Sequence, residues 1–227
     1  MPAPFSVIIP TLNAGESLIP CLQALAPGLS RQLIREVIIV DGGSTDKTIL
    51  YAHEAGARVI VGARGRGHQL RAGGVNAQGD WLLFLHADSF LEANWADAVI
   101  SHMEHHHGQA GYFALAYRSD AKQARWLEAR ANRRATWFGL PYGDQGLCLS
   151  RKLYDEVGGF QDFPLMEDVD MVRRLGKARL APLSARAFTS ADKYERDGWR
   201  KRAWSNAFLL GRYFLGASPE KLAKAYR

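Results

Sequence analysis

Short apolar runs separated by polar segments dominate the first half of the chain. Four of them are rich in β-branched or aromatic residues and have the length of buried strands. They cover residues 5–10, 36–40, 57–61 and 81–85. Helix-like patterns lie between these runs, over residues 16–25, after residue 45 and over 68–78. Ser44 or Thr45 is expected to cap the second helix, with Asp46 in its first turn.

The second half of the chain is less regular. Its patterns predict helices over 95–105, 121–137, 166–175 and 199–215, and strands over 111–117 and 146–150. No linker, internal repeat or low-complexity segment divides the sequence. The alternation of strand and helix in the first half predicts an α/β fold, with helices on both faces of a parallel sheet. We therefore expect one domain over residues 1–227, with a C-terminal helical segment at about 198–227.

The net charge and the cysteine content limit the classes of function and of ligand that the sequence can have. The chain of 227 residues carries a net charge of +6, which suits a phosphate-bearing ligand, an anionic acceptor or an acidic membrane surface. No zinc-finger, RNP or heptad pattern indicates nucleic acid, so no nucleic-acid partner is expected. Cys21 and Cys148 are too far apart in sequence to form a disulfide framework. With no signal peptide or spanning apolar stretch visible, a cytoplasmic protein is expected.

Polar clusters follow three of the predicted strands. Pro10, Thr11 and Asn13 end the first strand, and Asp41 ends the second, in a turn containing two glycines. The segment His86-Ala87-Asp88 follows the run at 81–85. Ligands of open α/β sheets bind at the carboxyl ends of strands, so these side chains are expected to face one crevice. Taken alone, the Asp41 cluster is more typical of a plain turn with a helix cap, because such turns are common.

Two further clusters carry charge. Arg64-Gly65-Arg66-Gly67, with Arg71 beyond it, forms a basic, glycine-rich loop that suits phosphate binding or is simply solvated. The segment Asp144-Gln145-Gly146 and the pair Glu167-Asp168 supply carboxylates, one of which is suited to general-base chemistry. Ordinary acidity at a helix N-terminus also explains the pair.

Two other patterns have simpler interpretations. Residues His105, His106 and His107 point in different directions on a helix, so a polar helix end is favoured over a metal site. The aromatic residues at 199, 204, 208, 213 and 214 favour a core or an interface. Because arginines and lysines accompany them, peripheral contact with a membrane surface is a further possibility.

Taken together, these motifs resemble glycosyltransferase family 2, which has the GT-A fold. The resemblance rests on Val7–Asn13, Val40–Thr48, His86-Ala87-Asp88 at the position of the family's Asp-x-Asp motif, and Glu167-Asp168 at its Glu-Asp motif. It extends over about residues 5–190. Within the family the chain is similar to a small branch often labelled arsenosugar-type or selenium-gene-associated. The resemblance implies a mostly parallel, twisted sheet with helices on both faces.

The resemblance also implies roles for individual residues. Asp168 would be the base that deprotonates an acceptor hydroxyl, assisted by Glu167, and Asp88 would ligate Mn²⁺ or Mg²⁺. The remaining residues would bind the nucleotide-diphosphate sugar: Pro10, Thr11, Asn13, Asp41, Arg66, Arg71, His86, Asp144 and Gln145. The implied reaction moves one sugar, with inversion, from a donor that is expected to be UDP-linked. The acceptor is expected to be a small molecule or a lipid-linked compound. The protein itself is expected in the cytoplasm, with a peripheral position at the inner face of the membrane as the alternative.

The sequence departs from the family pattern in two places. His86 replaces the first aspartate of Asp-x-Asp, which leaves the identity of the metal and the need for it open. The Gln-x-x-Arg-Trp motif of processive relatives is absent, which favours transfer of a single sugar. The alternatives are a sugar nucleotidyltransferase, disfavoured because few glycines follow the first strand, and a non-catalytic sugar-nucleotide-binding or membrane-surface protein. The oligomeric state stays open.

Overall fold

The computed structural model describes residues 3–225 and contains one eight-stranded sheet. The strand order across the sheet is β3-β2-β1-β4-β7-β6-β8-β5. The strands are β1 Phe5–Thr11, β2 Ile34–Asp41, β3 Arg58–Val61, β4 Trp81–Phe84, β5 Phe90–Leu91, β6 Ala110–Tyr117, β7 Leu147–Ser150 and β8 Leu180–Thr189.

Strand direction changes in the middle of the sheet. Strand β1 pairs in parallel with β2 and β4, and β2 pairs in parallel with β3. On its other side β4 pairs antiparallel with β7, which pairs antiparallel with β6. The pair β6–β8 is again parallel, and β5 lies antiparallel at the edge. The carboxyl ends of β1, β2 and β4 therefore meet at one edge of the sheet.

Helices cover both faces of the sheet, as the apolar patterns predict. They are α1 Gly15–Gln23, α2 Ala26–Ser30, α3 Thr48–Glu54, α4 Arg66–Asn76, α5 Trp95–His105, α6 Lys122–Phe138, α7 Arg151–Glu156, α8 Glu167–Leu175, α9 Asp192–Asp197, α10 Trp199–Phe214 and α11 Pro219–Ala225. Alternation along β1 places Val7 and Ile9 in a core with α1 and α5, and Ile8 in a second core with α4 and α8.

One prediction about local structure is wrong, and five elements are not predicted by the sequence, namely α2, β5, α7, β8 and α9. Helix α3 begins at Thr48 and not at Ser44 or Thr45, because the hydroxyl and amide of Ser44 both bond to Asp41. Strand β8 is absent from the prediction, although its buried positions alternate with exposed ones. The other predicted strands and helices are confirmed to within about two residues at each boundary.

The C-terminal segment is helical, with α9, α10 and α11 following β8. The last two residues of the predicted segment at 198–227 lie outside the described residues. Within residues 3–225, no helix has the length and apolarity needed to cross a bilayer.

Candidate functional site

The ends of β1 and β2 form a closely bonded corner around Asp41. This residue is fully buried, and its carboxylate accepts hydrogen bonds from Thr11 Oγ1 at 3.0 Å, the Gly43 amide at 2.9 Å, and the amide and hydroxyl of Ser44. Burial alone raises the pKa of Asp41, but these hydrogen bonds outweigh it and hold the pKa below its ordinary value. Asp41 therefore fixes the shape of the turn after β2.

Asn13 and Gln69 complete this corner. Asn13 has a positive φ of 50°, and its side-chain oxygen accepts a 2.8 Å bond from the Thr45 amide. Gln69 is buried on α4 and donates through Nε2 to the carbonyls of Thr11 and Val40, both at 2.7 Å. The structure thus brings the predicted nucleoside-binding residues together, with Pro10 buried in β1 beside them. Their contact with a nucleoside stays a prediction.

An open pocket of about 980 Å³ lies beyond the end of β4. Its walls come from seven separate parts of the chain. Lining residues include the predicted Arg66, His86, Asp88, Asp144, Glu167 and Asp168, together with Tyr117, Tyr142, Met166, Lys193, Tyr194, Arg202 and Asn206. Residues separated by up to about 140 positions in sequence therefore face one space.

His86 lies between the pocket and Gly143. A Cβ added to Gly143 would stand 2.5 Å from Nε2 of His86, so only glycine allows the ring to lie there. Burial is the main cause that lowers the pKa of His86, and the positive charge of Arg66 lowers it further, while Asp168 opposes the shift. The imidazole is therefore neutral at physiological pH.

Four carboxylates line the pocket, and two of them, Glu167 and Asp144, have raised pKa values. Burial raises the pKa of Glu167 to about 7, helped by the charge of Asp168, while Arg66 opposes the shift across 3.7 Å from Nε to Oε1. Burial also raises the pKa of Asp144 to about 6; Arg134 opposes that shift, and Asp168 and Asp88 add to it. Perturbed carboxyl groups of this kind cluster at functional sites.

Asp168 is the most accessible member of the adjacent pair. Its Oδ2 accepts a 2.8 Å bond from the Gly143 amide, and its side chain is partly exposed to the pocket, whereas Glu167 is only 2% exposed. Both lie in the first turn of α8, directly after Met166, which has a left-handed φ of 65°. A non-glycine residue in this conformation carries backbone strain, which concentrates at functional sites.

The carboxylates of the pocket fit a divalent cation shared with a ligand. Oδ1 of Asp144 is buried and has no hydrogen-bond partner among residues 3–225, and its pKa responds to the charge of Asp88. Among those residues, no group of three or more His, Cys, Asp or Glu side chains is arranged to hold a metal by itself. Mg²⁺ is commonly held by one or two carboxylates, with substrate phosphates supplying other ligands.

Some predicted residues lie outside this pocket. Arg71 is exposed on α4, and neither it nor Gln145 is among the pocket-lining residues. Gln145 is fully buried and donates through Nε2 to the Phe113 carbonyl at 3.0 Å. The amide of Gly67, in the first turn of α4, donates to the Phe163 carbonyl at 3.2 Å. The roles of Arg71 and Gln145 in donor binding remain predictions.

Several pocket residues were missed from the sequence because they carry no motif. Tyr117 ends β6, and its ring meets those of Tyr194 and Trp199 at centroid distances of 5.3 and 5.7 Å. Tyr142 lies under the guanidinium of Arg134 at 3.3 Å. The strand predicted over 111–117 is the sequence feature that places Tyr117 at the end of a strand.

The histidines at 105–107 behave as a polar helix end. His105 Nδ1 lies 2.8 Å from the Ser101 carbonyl, and His106 stacks on His102. These contacts agree with the interpretation favoured by the sequence.

Comparison with known proteins gives the family. The model of the family described as "Glycosyl transferase family 2" matches residues 6–161, which is more than two thirds of the chain. The chain belongs to this family. The match includes the Asp41 corner, His86, Asp88 and Asp144, and it ends shortly before Glu167. The arsenosugar-type label is not tested by these comparisons and stays a prediction.

Curated relatives share part of the chain. Glycosyltransferases named for PGL/p-HBAD biosynthesis, from Mycobacterium tuberculosis and Mycobacterium bovis, are 38% identical over 115 residues. The match covers 47% of this chain and 44% of each relative. The chain therefore spans less than half the length of the curated relatives it matches.

Solved structures show the same fold. The mannosyltransferase PcManGT from Pyrobaculum calidifontis, solved with GDP-Man and Mn²⁺, has a TM-score of 0.66 at 20% identity and covers 96% of this chain and 67% of its own. S. aureus TarS 1–349 has a TM-score of 0.63 at 20% identity, covering 85% and 62%. Glucosyl-3-phosphoglycerate synthase from M. tuberculosis, with Mn²⁺, UDP and product, scores 0.56 at 22% identity, covering 82% and 70%. The fold is therefore GT-A, as expected from the motifs.

Proposed function

We propose that the chain is an inverting glycosyltransferase that moves one sugar from a nucleotide-diphosphate sugar to an acceptor hydroxyl. The observation that carries this proposal is the pocket itself. It joins a partly exposed carboxylate, Asp168, to a second acidic group, Asp88, and to cationic side chains. Transfer with inversion needs a base on one side of the sugar and charge neutralisation of the leaving diphosphate on the other.

The donor would extend from the Asp41 corner to the pocket beyond the end of β4. The Asp41 corner would hold the nucleoside, which we propose to be uridine, and the diphosphate would lie toward Asp88. Arg66 and Lys193 line the pocket and lower the pKa of His86 through their charges, so their positive charge reaches this corner. Cations placed where charge develops on the leaving group stabilise the transition state. Neutral His86 adds no charge there and would orient the phosphates or an ion.

A divalent cation, Mn²⁺ or Mg²⁺, would be held by Asp88, with Asp144 close to it. When bound, such an ion neutralises the phosphate oxygens of the leaving diphosphate. Solved structures with this fold contain Mn²⁺ together with GDP-Man or UDP, which supports the proposal at the level of the fold.

Asp168 is the proposed base because of its exposure and its fixed orientation. The Gly143 amide holds Oδ2 at 2.8 Å, which leaves the carboxylate positioned toward the pocket. Glu167 is buried, and burial raises its pKa to about 7; it would position Arg66 or the acceptor. One base and one leaving group on opposite sides give a single displacement, and hence inversion.

Further parts of the proposal concern context. We propose a non-processive enzyme, because the Gln-x-x-Arg-Trp motif is absent from the sequence. We also propose a cytoplasmic location and an acceptor that is a small molecule or a lipid-linked compound. A single domain over 1–227 is proposed from the continuous sheet and the absence of a linker in the sequence.

The test compares Asp168→Asn with Asp155→Asn, a change at an exposed carboxylate outside the pocket. Loss of a general base is expected to slow transfer by about 10²–10⁴-fold, while calorimetric binding of UDP with Mn²⁺ stays close to wild type. Asp155→Asn should leave both unchanged. Wild-type turnover in Asp168→Asn would remove it as the base.

The metal site and the reaction class need separate tests. Asp88→Ala should weaken UDP binding in the presence of Mn²⁺ and have little effect in its absence; equal effects would contradict a ligand role. Product analysis distinguishes the alternative activity, because a sugar nucleotidyltransferase releases pyrophosphate and a glycosyltransferase releases the nucleoside diphosphate. Inversion is read from the anomeric configuration of the product by NMR.

A further inference from the structure

Exposed aromatic side chains are confined to two helices. Within residues 3–225, every tryptophan, phenylalanine or tyrosine that is largely solvent-exposed lies on α6 or α10. They are Trp126, Trp137, Phe138, Trp204, Phe208 and Phe214. Exposed apolar side chains that are grouped into one patch mark an interaction site.

The same two helices carry the positive charge of the protein. Helices α6 and α10 together contain nine Lys and Arg residues and one acidic residue, Glu128, a net charge of +8. The whole chain has a net charge of +6, so the rest of it is net acidic by two charges. Positive charge and exposed aromatic surface therefore coincide.

On α6 these residues form one stripe. Trp126, Arg130, Arg133 and Trp137 follow a spacing of four, three and four residues, which places them on one side of the helix. The guanidinium of Arg130 lies 4.6 Å from the Trp126 ring. The opposite side of α6 carries buried alanines, so the stripe faces away from the core.

Helix α10 has two opposite functional faces. Arg202, Asn206 and Leu209 lie on the side that lines the pocket. Trp204 and Phe208, at 76% and 66% exposure, lie about half a turn away on the other side and form the stripe of α10. One face of α10 thus closes the candidate site while the opposite face presents aromatic rings to solvent.

The two stripes belong to neighbouring helices. Leu127 of α6 and Trp199 of α10 pack against the same small core cluster around Tyr117. Helices with exposed Trp, Phe or Leu beside Arg and Lys bind the boundary between head groups and acyl chains, with anionic lipids attracting the basic side chains. A second copy of this chain is a poor occupant, because it would bring the exposed basic side chains of the same helices, among them Arg133 and Lys201, against each other.

We propose that the exposed stripes of α6 and α10 form a docking face for an anionic membrane surface. A helix with its side chains is about 10–12 Å across, so docking through α10 places the pocket about one helix diameter from the lipid. An acceptor hydroxyl carried on a lipid head group would then reach Asp168. That last consequence rests on the proposed function, whereas membrane docking itself does not.

Vesicle co-sedimentation tests the docking face without measuring transfer. The probes are phosphatidylcholine vesicles with or without about one third phosphatidylglycerol, since only the anionic lipid attracts Arg and Lys. Wild-type protein is expected to bind the anionic vesicles and to remain in the supernatant with phosphatidylcholine alone. Absence of binding to anionic vesicles, or equal binding to both, would overturn the proposal.

Variants separate the contribution of each stripe. Trp204→Ala with Phe208→Ala, and separately Trp126→Ala with Trp137→Ala, should each weaken vesicle binding by about tenfold or more, because the lost ring area no longer enters lipid. Arg133→Gln with Lys201→Gln should weaken it by about 25-fold at low salt, about fivefold for each charge. The matched control combines Leu50→Ala with Arg35→Gln, an exposed apolar and an exposed basic position on other elements.

The outcomes are distinct. Losses in all three face variants, with the control unchanged and the melting temperature of each variant kept, support the face. A loss equal in the control, or a loss confined to one helix, overturns it. Concentration-dependent dimerisation that disappears in Trp204→Ala with Phe208→Ala would show that a second copy occupies the face and would also overturn it. Vesicle binding with no transfer to any acceptor would leave docking intact and count against the proposed function alone.

Discussion

Glu167→Gln is expected to change how the stability of the protein depends on pH. Glu167 is buried, and its pKa is raised from an ordinary 4.5 to about 7, mainly by burial and further by the adjacent charge of Asp168. Below pH 4.5 the carboxyl is protonated in both the folded and the unfolded chain, so it contributes no pH dependence. Between pH 4.5 and about 7 the unfolded chain releases the proton while the folded chain keeps it, and stability falls.

The magnitude follows from that difference in pKa. Each pKa unit corresponds to about 1.4 kcal/mol, so the wild-type protein loses about 3 kcal/mol at this position by pH 8. The glutamine variant cannot ionise and avoids this loss. Its stability relative to wild type should therefore rise by about 3 kcal/mol between pH 4 and pH 8. The attraction between Arg66 and ionised Glu167 is already included in this difference, because it is one of the causes that set the pKa near 7.

Urea unfolding followed by tryptophan fluorescence at several pH values measures this difference. Glu54→Gln, a change at an exposed glutamate on α3, is the control and should show no comparable rise. A difference between Glu167→Gln and wild type that stays constant from pH 4 to pH 8 would show that Glu167 ionises as an exposed carboxylate does. The reasoning from its burial would then be refuted.

Three further substitutions, with Gly211→Ala as a glycine control, test packing in and near the site. Gly143→Ala places a Cβ 2.5 Å from the ring of His86, so we expect transfer activity to fall by about tenfold or more with the melting temperature nearly kept; unchanged activity would contradict the contact. Gln69→Leu removes two hydrogen bonds of 2.7 Å to buried carbonyls, so the free energy of unfolding measured in urea should fall by about 1–3 kcal/mol. The same change at an exposed glutamine should leave this free energy nearly unchanged. In Gly73→Ala the added Cβ would lie 2.3 Å from the Ile8 side chain of β1, so the free energy of unfolding should fall by about 1–3 kcal/mol. Gly211 has open space around it, so Gly211→Ala should raise the free energy of unfolding by up to about 1 kcal/mol. Changes of the same sign in the two variants would refute this reasoning.

The first half of the fold follows from local sequence, whereas part of the second half does not. Strands β1, β2 and β4 are continuous apolar runs, and their polar ends place Thr11, Asp41 and His86 at one edge of the sheet. Strand β8 is absent from the sequence-based prediction because its inward positions are mostly alanines and a proline lies near its start. Its position is set by parallel pairing with β6, a contact between distant segments.

The same distinction applies to the site. The acidic and basic motifs predict Arg66, Asp88, Asp144, Glu167 and Asp168, and the structure brings these into one pocket. The tyrosines and the α10 residues of the pocket are not predictable in this way, because they reach it only through the packing of α6, α9 and α10 on β6. Gln145 is predicted from a motif to bind the donor, but its side chain is directed into the interior of the protein.

The reversal of strand direction at β4 has an evolutionary consequence. From β3 to β4 each strand pairs in parallel with its neighbour. The strands beyond β7 are joined to that part of the sheet only through the β4–β7 pairing, and β6 and β8 pair with each other. Insertions or replacements beyond β7 leave the register of β1, β2 and β4 unchanged. A lineage can therefore exchange β6, β8 and β5 together and keep the Asp41 corner, provided that β7 still pairs with β4. Because Tyr117 at the end of β6 and Thr189 at the end of β8 line the pocket, such an exchange alters the pocket wall without altering that corner.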